Sequence, residues 1–161
     1  MTMLPIPAFQ PIGVIRSPYT EPAGVPIQSA VAGDSPGRAE IFEPYVDALG
    51  DLDGFERIWL IYAFHRCGPA RLRVTPFRDT IERGLFSTRA PCRPNPIGLS
   101  PVRLLRVDGN VLELDGVDIL DGTPLLDIKP YAPQFDAFPS SRAGWLDRGT
   151  DRNHADERFE K

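Results

Sequence analysis

The sequence predicts a mainly β fold, a small β-barrel or strongly curved sheet with one or two short helices. Three observations predict it. About eight short apolar or alternating segments are separated by turn chemistry. The connections carry Asp-Gly pairs and prolines in place of long helical periods. No Gly-rich strand-to-helix turn occurs, so no Rossmann or P-loop phosphate site is offered. The 161 residues fit one domain, and 42% apolar residues suffice for a full core.

Residues 1–8 read as a Pro-rich lead-in. Phe9–Ser17 alternates as a strand and is stopped by Pro18 and Pro22. Tyr19–Pro36 reads as loop, long enough to suggest a functional segment. Arg38–Phe42 is a short strand. Pro44–Leu49 has helical spacing, with Pro44 in the first turn and Gly50 at its end. Arg57–His65 is the most hydrophobic run, β-branched and aromatic, and is expected to be a central strand buried on both faces. Ala70–Val74 alternates as an exposed strand, and Gly84–Thr88 is the next. Leu99–Val107 and Val111–Val117 form a hairpin across Asp108-Gly109-Asn110. Asp118–Tyr131 reads as strand, turn and strand, with Asp121-Gly122 as the turn. A short helix near Arg142–Leu146 and a frayed charged tail complete the chain. The expected division is a barrel domain over 1–138 and a charged tail over 139–161.

The stretch Gly84 to Ser100 is the most unusual. Pro91, Pro94 and Pro96 fix φ, remove three backbone donors and restrict Ala90, Arg93 and Asn95 before them. Such a loop holds Ser87, Thr88, Arg89, Arg93 and Asn95 in place with little entropy left to lose on binding. Charge gathers in the same region. Net charge is −4, yet Arg66 to Arg106 contains nine arginines against Asp79 and Glu82, so this segment is +7 and the remainder −11. A one-sign stretch in an acidic chain suits phosphate or carboxylate. Solvated arginines on alternate strand positions would leave the same pattern.

Hydrolase and metal templates find little here. There is no Gly-x-Ser-x-Gly and no His-Glu-x-x-His. His65, Cys67 and Cys92 lack standard zinc spacing and a fourth ligand, so no metal is expected. The two cysteines provide no disulfide framework and suit a reducing compartment. No apolar run reaches the roughly 18–20 residues of a membrane helix, and the N-terminus has no secretory pattern. A cytoplasmic location is expected. Asp118, Asp121 and Asp127 are an acid cluster or, more ordinarily, turn-forming residues.

Residue identity goes further. The ordered set Ile12–Tyr19, Pro26-Ile27-Gln28, Leu52 to His65, the block Gly84–Ser100 with Thr88-Arg89-Ala90-Pro91-Cys92-Arg93-Pro94-Asn95-Pro96-Ile97-Gly98, and Asp121-Gly122-Thr123-Pro124 to Tyr131 resembles the TrmO-like family over about residues 9–135. That family methylates N6 of N6-threonylcarbamoyladenosine at position 37 of tRNA. The resemblance implies a non-Rossmann β-barrel methyltransferase using S-adenosyl-L-methionine, acting on the tRNA anticodon loop as a homodimer. It implies cofactor contacts at Gln28, Ser29, Ala30, His65, Arg66, Arg89, Leu99, Asp121, Gly122, Thr123 and Pro124. On this reading Arg89 or Arg66 holds the methionine carboxylate, the backbone of Asp121–Pro124 reads the adenine or ribose, and Leu99 is an apolar wall. Arg93 and Asn95 are substrate contacts. Asp121 and His65 are the candidate proton acceptors, neither singled out. A non-catalytic sensor of the cofactor or a nucleotide, or a methyltransferase on another substrate, are the alternatives. Longer members carry a further C-terminal domain, which this sequence is expected to lack, and Cys92 departs from the family's usual residues.

Overall fold

The structure is a computed structural model and describes residues 4–160. The part of the N-terminal lead-in before Leu4 lies outside the described residues. Six strands form a closed antiparallel barrel: β1 (Gly13–Arg16), β2 (Gly37–Ile41), β3 (Arg57–Ala63), β6 (Ile97–Asp108), β7 (Val111–Asp115) and β8 (Thr123–Pro130). Their order around the barrel is β1-β2-β7-β6-β3-β8, and β1 pairs with β8 to close it. Two two-residue strands, β4 (Arg73–Val74) and β5 (Arg83–Gly84), pair outside it. The barrel of the two expected sheet forms is thus the one adopted, and closure leaves no edge open for pairing.

Burial alternates strictly along β3, with Ile58, Leu60 and Tyr62 inward. This corrects the expectation of a strand buried on both faces. A barrel has one inner face, and the outward residues of β3 are half-covered. Ile15, Ile41, Val102, Leu112, Leu114 and Leu125 meet Ile58 and Leu60 in the interior. The β6–β7 hairpin turns through Gly109 at φ +60°, as its composition indicates; glycine at the first central position is what a type II′ turn requires. Residues 43–49 form a 3₁₀ stretch with Pro44 in its first turn. Shorter 3₁₀ turns and one helical turn, α1 (Pro133–Asp136), make up the remaining helix.

Residues 118–120 form no strand, since β7 ends at Asp115 and β8 begins at Thr123, and two further expectations fail locally. Gly84–Thr88 is not a strand, because after Gly84 the chain coils into a 3₁₀ turn over Leu85–Ser87. The hydroxyls explain it. Ser87 Oγ donates to the Gly84 carbonyl and Thr88 Oγ1 to the Leu85 carbonyl, both at 2.8 Å, giving the backbone a local alternative to a ladder. The tail is also not frayed. Pro26 bridges to His154, Ala155 donates to Val25 O at 2.7 Å and accepts from Gly24 N at 2.9 Å, and Phe159 is buried. Phe159 packs with Val74, Leu85, Ala90 and Cys92 in a second small core beneath the proline-rich loop. Its ring meets Phe77 edge-on at 5.1 Å.

Phe159→Ala should therefore destabilise the fold by about 3 kcal/mol, the usual range for truncating a buried aromatic. Urea unfolding checks this, and a change below about 0.5 kcal/mol, typical of surface positions, would restore the frayed tail.

Candidate functional site

Antiparallel order sets the site. The end of β3 lies beside the starts of β6 and β8, because Ala63 faces Ile97 and Tyr62 faces both Gly98 and Leu125. His65, Leu99 and Thr123 thus reach one rim from three distant sequence positions. The proline-rich loop precedes β6 and the 19–36 loop precedes β2, and both fold over the same rim. Together with residues 155–160 they enclose a cavity of about 330 Å³, within the size of small-molecule sites.

Of the sequence-derived candidates, Gln28, His65, Arg66, Arg89, Arg93, Leu99 and Thr123 line this cavity. The others do not. Ser29 is buried behind it, its Oγ donating to Pro101 O at 3.3 Å, and Ala30 is exposed. Asp121 turns away. Its Oδ1 accepts from Ser17 N at 3.1 Å and its Oδ2 lies 3.8 Å from Arg16. Gly122, at φ +77°, donates its N–H to Ile15 O, and Pro124 pairs with Val14 in the β1–β8 ladder. The part of this corner that faces the cavity is Leu120 and Thr123. Asn95 is solvent-exposed on the loop.

The three arginines at the mouth differ in their partners. Arg66 is held by Glu160 at 2.7 Å, Glu21 at 2.9 Å and the Thr20 carbonyl at 2.6 Å. Arg93 donates to Thr88 O and Ala90 O through Nη1 and stacks on Phe86 at 5.6 Å, which fastens the proline-rich loop to itself. Arg89 donates to the neutral Gln28 Oε1 and makes no ion pair among the described residues. Of the nine arginines between 66 and 106, Arg73 and Arg83 pair with the segment's own Glu82 and Asp79, and Arg66, Arg103 and Arg106 pair with other acids. The excess charge of this segment is therefore partly compensated at the surface.

Thr123 Oγ1 donates to Leu120 O at 2.8 Å, so its oxygen accepts from His65 Nδ1 at 3.3 Å. This places the imidazole proton on Nδ1 and leaves Nε2 as an acceptor. Desolvation, with Arg66 nearby, holds the His65 pKa below its ordinary value.

A residue expected to be part of an acid cluster or, more ordinarily, a turn former sits on the cavity wall. Asp118 accepts from Ser100 Oγ at 2.6 Å, and Ser100 Oγ is 3.0 Å from the Tyr62 hydroxyl. The Ser29 backbone also holds the carboxylate. Burial pushes Asp118 up to about 6, against the lowering effect of these hydrogen bonds. Burial also raises Tyr62, with Asp118 adding to it. Gly98 makes room for the ring, since a Cβ there would lie 2.2 Å from Tyr62 Cε2. The available signal was Ser100 itself, a polar residue on the inward face between Gly98 and Val102.

These features define a small closed barrel with a charged, partly apolar ligand cavity at one rim. The chain matches the tRNA-methyltransferase O N-terminal domain over residues 14–137 and belongs to that family. It is 51% identical over 140 residues to a probable S-adenosyl-L-methionine-binding protein of Pyrococcus abyssi, covering 87% of this chain and 76% of that protein. It is 40% identical over 147 residues to the tRNA (adenine(37)-N6)-methyltransferase of Escherichia coli, covering 85% of this chain and 63% of the enzyme. The crystal structure of TrmO from Pseudomonas aeruginosa superposes with a TM-score of 0.78 at 40% identity, over 90% of this chain and 65% of that one. The chain thus spans just under two thirds of these last two proteins.

Because the folded Asp118 binds its proton more tightly than an unfolded aspartate, its contribution to stability falls as pH rises from about 4 to 6. Asp118→Asn should accordingly be more stable than the parent at pH 7 by roughly 3 kcal/mol, from about 1.4 kcal/mol per pKa unit. The gap should close by pH 4. Denaturant melts of both proteins at the two pH values check this.

Proposed function

We propose that this chain binds S-adenosyl-L-methionine in the rim cavity and methylates N6 of adenine 37 in tRNA, with N6-threonylcarbamoyladenosine as the substrate form. The observation that carries the reading is the convergence of Gln28, His65, Arg66, Arg89, Leu99 and Thr123 on one cavity. The relatives named for this cofactor and this reaction support it.

The donor set fits the cofactor. Arg89, held by a neutral amide, has guanidinium donors left for a carboxylate, whereas Arg66 already serves two glutamates and braces the mouth. Leu99, Phe64 and Ile119 supply apolar wall, and Leu120 and Thr123 form the corner that a base or ribose would meet. Ser29 supports the wall from behind, and Asp121, Gly122 and Pro124 fix the corner that Thr123 presents. When bound, the cofactor supplies an electrophilic methyl on a sulfonium. The protein's work is then to hold the N6 nucleophile in line with it and to keep water out.

Arg93 at the cavity mouth and Asn95 on the exposed side of the stiff loop stand where an inserted anticodon-loop base would arrive. Phosphate contacts would set affinity and the modified base specificity. We extend the proposal to a cytoplasmic homodimer in which residues 1–138 carry the catalytic barrel and 139–161 a charged segment that closes the cavity.

Methyl transfer from labelled cofactor to tRNA bearing threonylcarbamoyladenosine should exceed transfer to tRNA lacking that modification by about 10⁴-fold, the discrimination expected when buried polar groups lose their partners. Equal transfer to both would remove the named substrate, and tight cofactor binding without transfer would make the protein a sensor. Arg89→Ala should weaken calorimetric binding of S-adenosylhomocysteine by about 10–100-fold, the range for losing a charge-assisted hydrogen bond. An unchanged affinity would remove Arg89 from the site.

A further inference from the structure

We infer that Asp118 is the group that accepts the N6 proton during methyl transfer, its carboxylate aimed by Ser100. The inference rests on the function proposed above and deepens it.

The cavity wall holds three carboxylates: Asp118, Asp156 and Glu160. Two are engaged. Asp156 pairs with Arg152 and Arg158, each at 2.8 Å, and Glu160 with Arg66 at 2.7 Å. Asp118 makes no ion pair among the described residues. Its partners are neutral donors, the Ser100 hydroxyl at 2.6 Å and the Ser29 backbone. Asp121, the other acid at this corner, faces Ser17 and Arg16 outside the cavity. A carboxylate kept from arginine and held by neutral hydrogen bonds retains its basicity, which a proton acceptor needs.

The groups around Asp118 agree. Tyr62 reaches it from β3 through Ser100 on β6, Ser29 approaches from its 3₁₀ turn, and Arg89 acts at longer range from the proline-rich loop. Burial has opposite effects on the two candidate bases here. It makes the Asp118 carboxylate more basic and the His65 imidazole less so.

The step balances without a further reactant. The N6 lone pair forms the N–C bond to the methyl carbon, and the C–S bond breaks with its electrons left on sulfur. The N6 proton passes to the Asp118 carboxylate, which returns it to water after the product leaves. Attack by an amide-like nitrogen is otherwise uphill, because its lone pair is delocalised until the proton departs.

The test uses the full chain and tRNA carrying threonylcarbamoyladenosine. Wild-type turnover is measured first, and its absence overturns the functional reading and this inference with it. Single-turnover rates of wild type, Asp118→Asn and Ser100→Ala are then followed from pH 5 to 8 at saturating cofactor. Calorimetry with S-adenosylhomocysteine gives affinities, and ¹³C NMR of labelled aspartate follows the Asp118 titration in the ligand-free protein. Asp118→Asn should lower the rate by about 100-fold or more, as expected for loss of a general base. It should leave affinity within about threefold, below the tenfold worth 1.4 kcal/mol. The rise in rate with pH should track the Asp118 titration and vanish in Asp118→Asn. Ser100→Ala removes a hydrogen bond to the charged form, so both the titration and the rise should move to higher pH. This arm stands even where Asp118→Asn does not fold. A full rate in Asp118→Asn, a defect confined to cofactor affinity, or a pH profile indifferent to Ser100→Ala overturns the assignment.

Discussion

Closure of the barrel is the constraint on which the rest depends. The antiparallel ladder fixes which strand ends share a rim, and a one-residue slip would turn every inward side chain outward. The register that pairs Tyr62 with Gly98 and Leu125 brings the end of β3 to the starts of β6 and β8. Residues about 35 and 60 positions apart thereby become neighbours, His65 with Leu99 and Thr123 among them. Once β1 pairs with β8, the loops have one place to converge.

Electrostatics then sorts the charged residues into two kinds. Most arginines of the basic segment are neutralised by nearby acids and serve as braces, as Arg66 does between Glu21 and Glu160. Exposed pairs of this sort contribute little to stability but hold loops in register. Arg93 also has only neutral partners, and these fasten its own loop. Arg89 and Asp118 are likewise bound only by neutral groups and line the cavity. A cation and an anion without ion pairs on a shared wall are what a zwitterionic, charge-changing ligand would meet. Both are supported by parts with no charge of their own: a glutamine from the long loop and a serine from the barrel's inner face.

Much of this was legible in the residues. The β-branched run at Arg57–Ala63, the glycine turn at 109 and the three prolines before β6 have only one good local conformation each. Leu99, Arg89 and Gln28 were identified by motif rather than by periodicity. What escaped depends on partners far away in sequence. Ser87 and Thr88 look like strand ends until their hydroxyls turn back on Gly84 and Leu85. Phe159 stands alone among charged residues, and only the pocket beneath Ala90 and Cys92 gives it a role. Asp118 resembles a turn former because its hydrogen-bond partner is Ser100, eighteen positions earlier on the strand that neighbours β7. Asp121 misled for the converse reason: the Asp-Gly motif is conspicuous in sequence, but its carboxylate caps Ser17 and leaves Thr123 to face the cavity.

The central claim is that one cavity, framed by the proline-rich loop, the β3 end and the Leu120–Thr123 corner, receives the methyl donor. A crystal structure with S-adenosylhomocysteine tests it most directly. The account predicts the ligand in that cavity, its carboxylate on Arg89 and its adenosine against Leu99, Leu120 and Thr123. Ligand bound elsewhere, with this cavity holding only solvent, would contradict it.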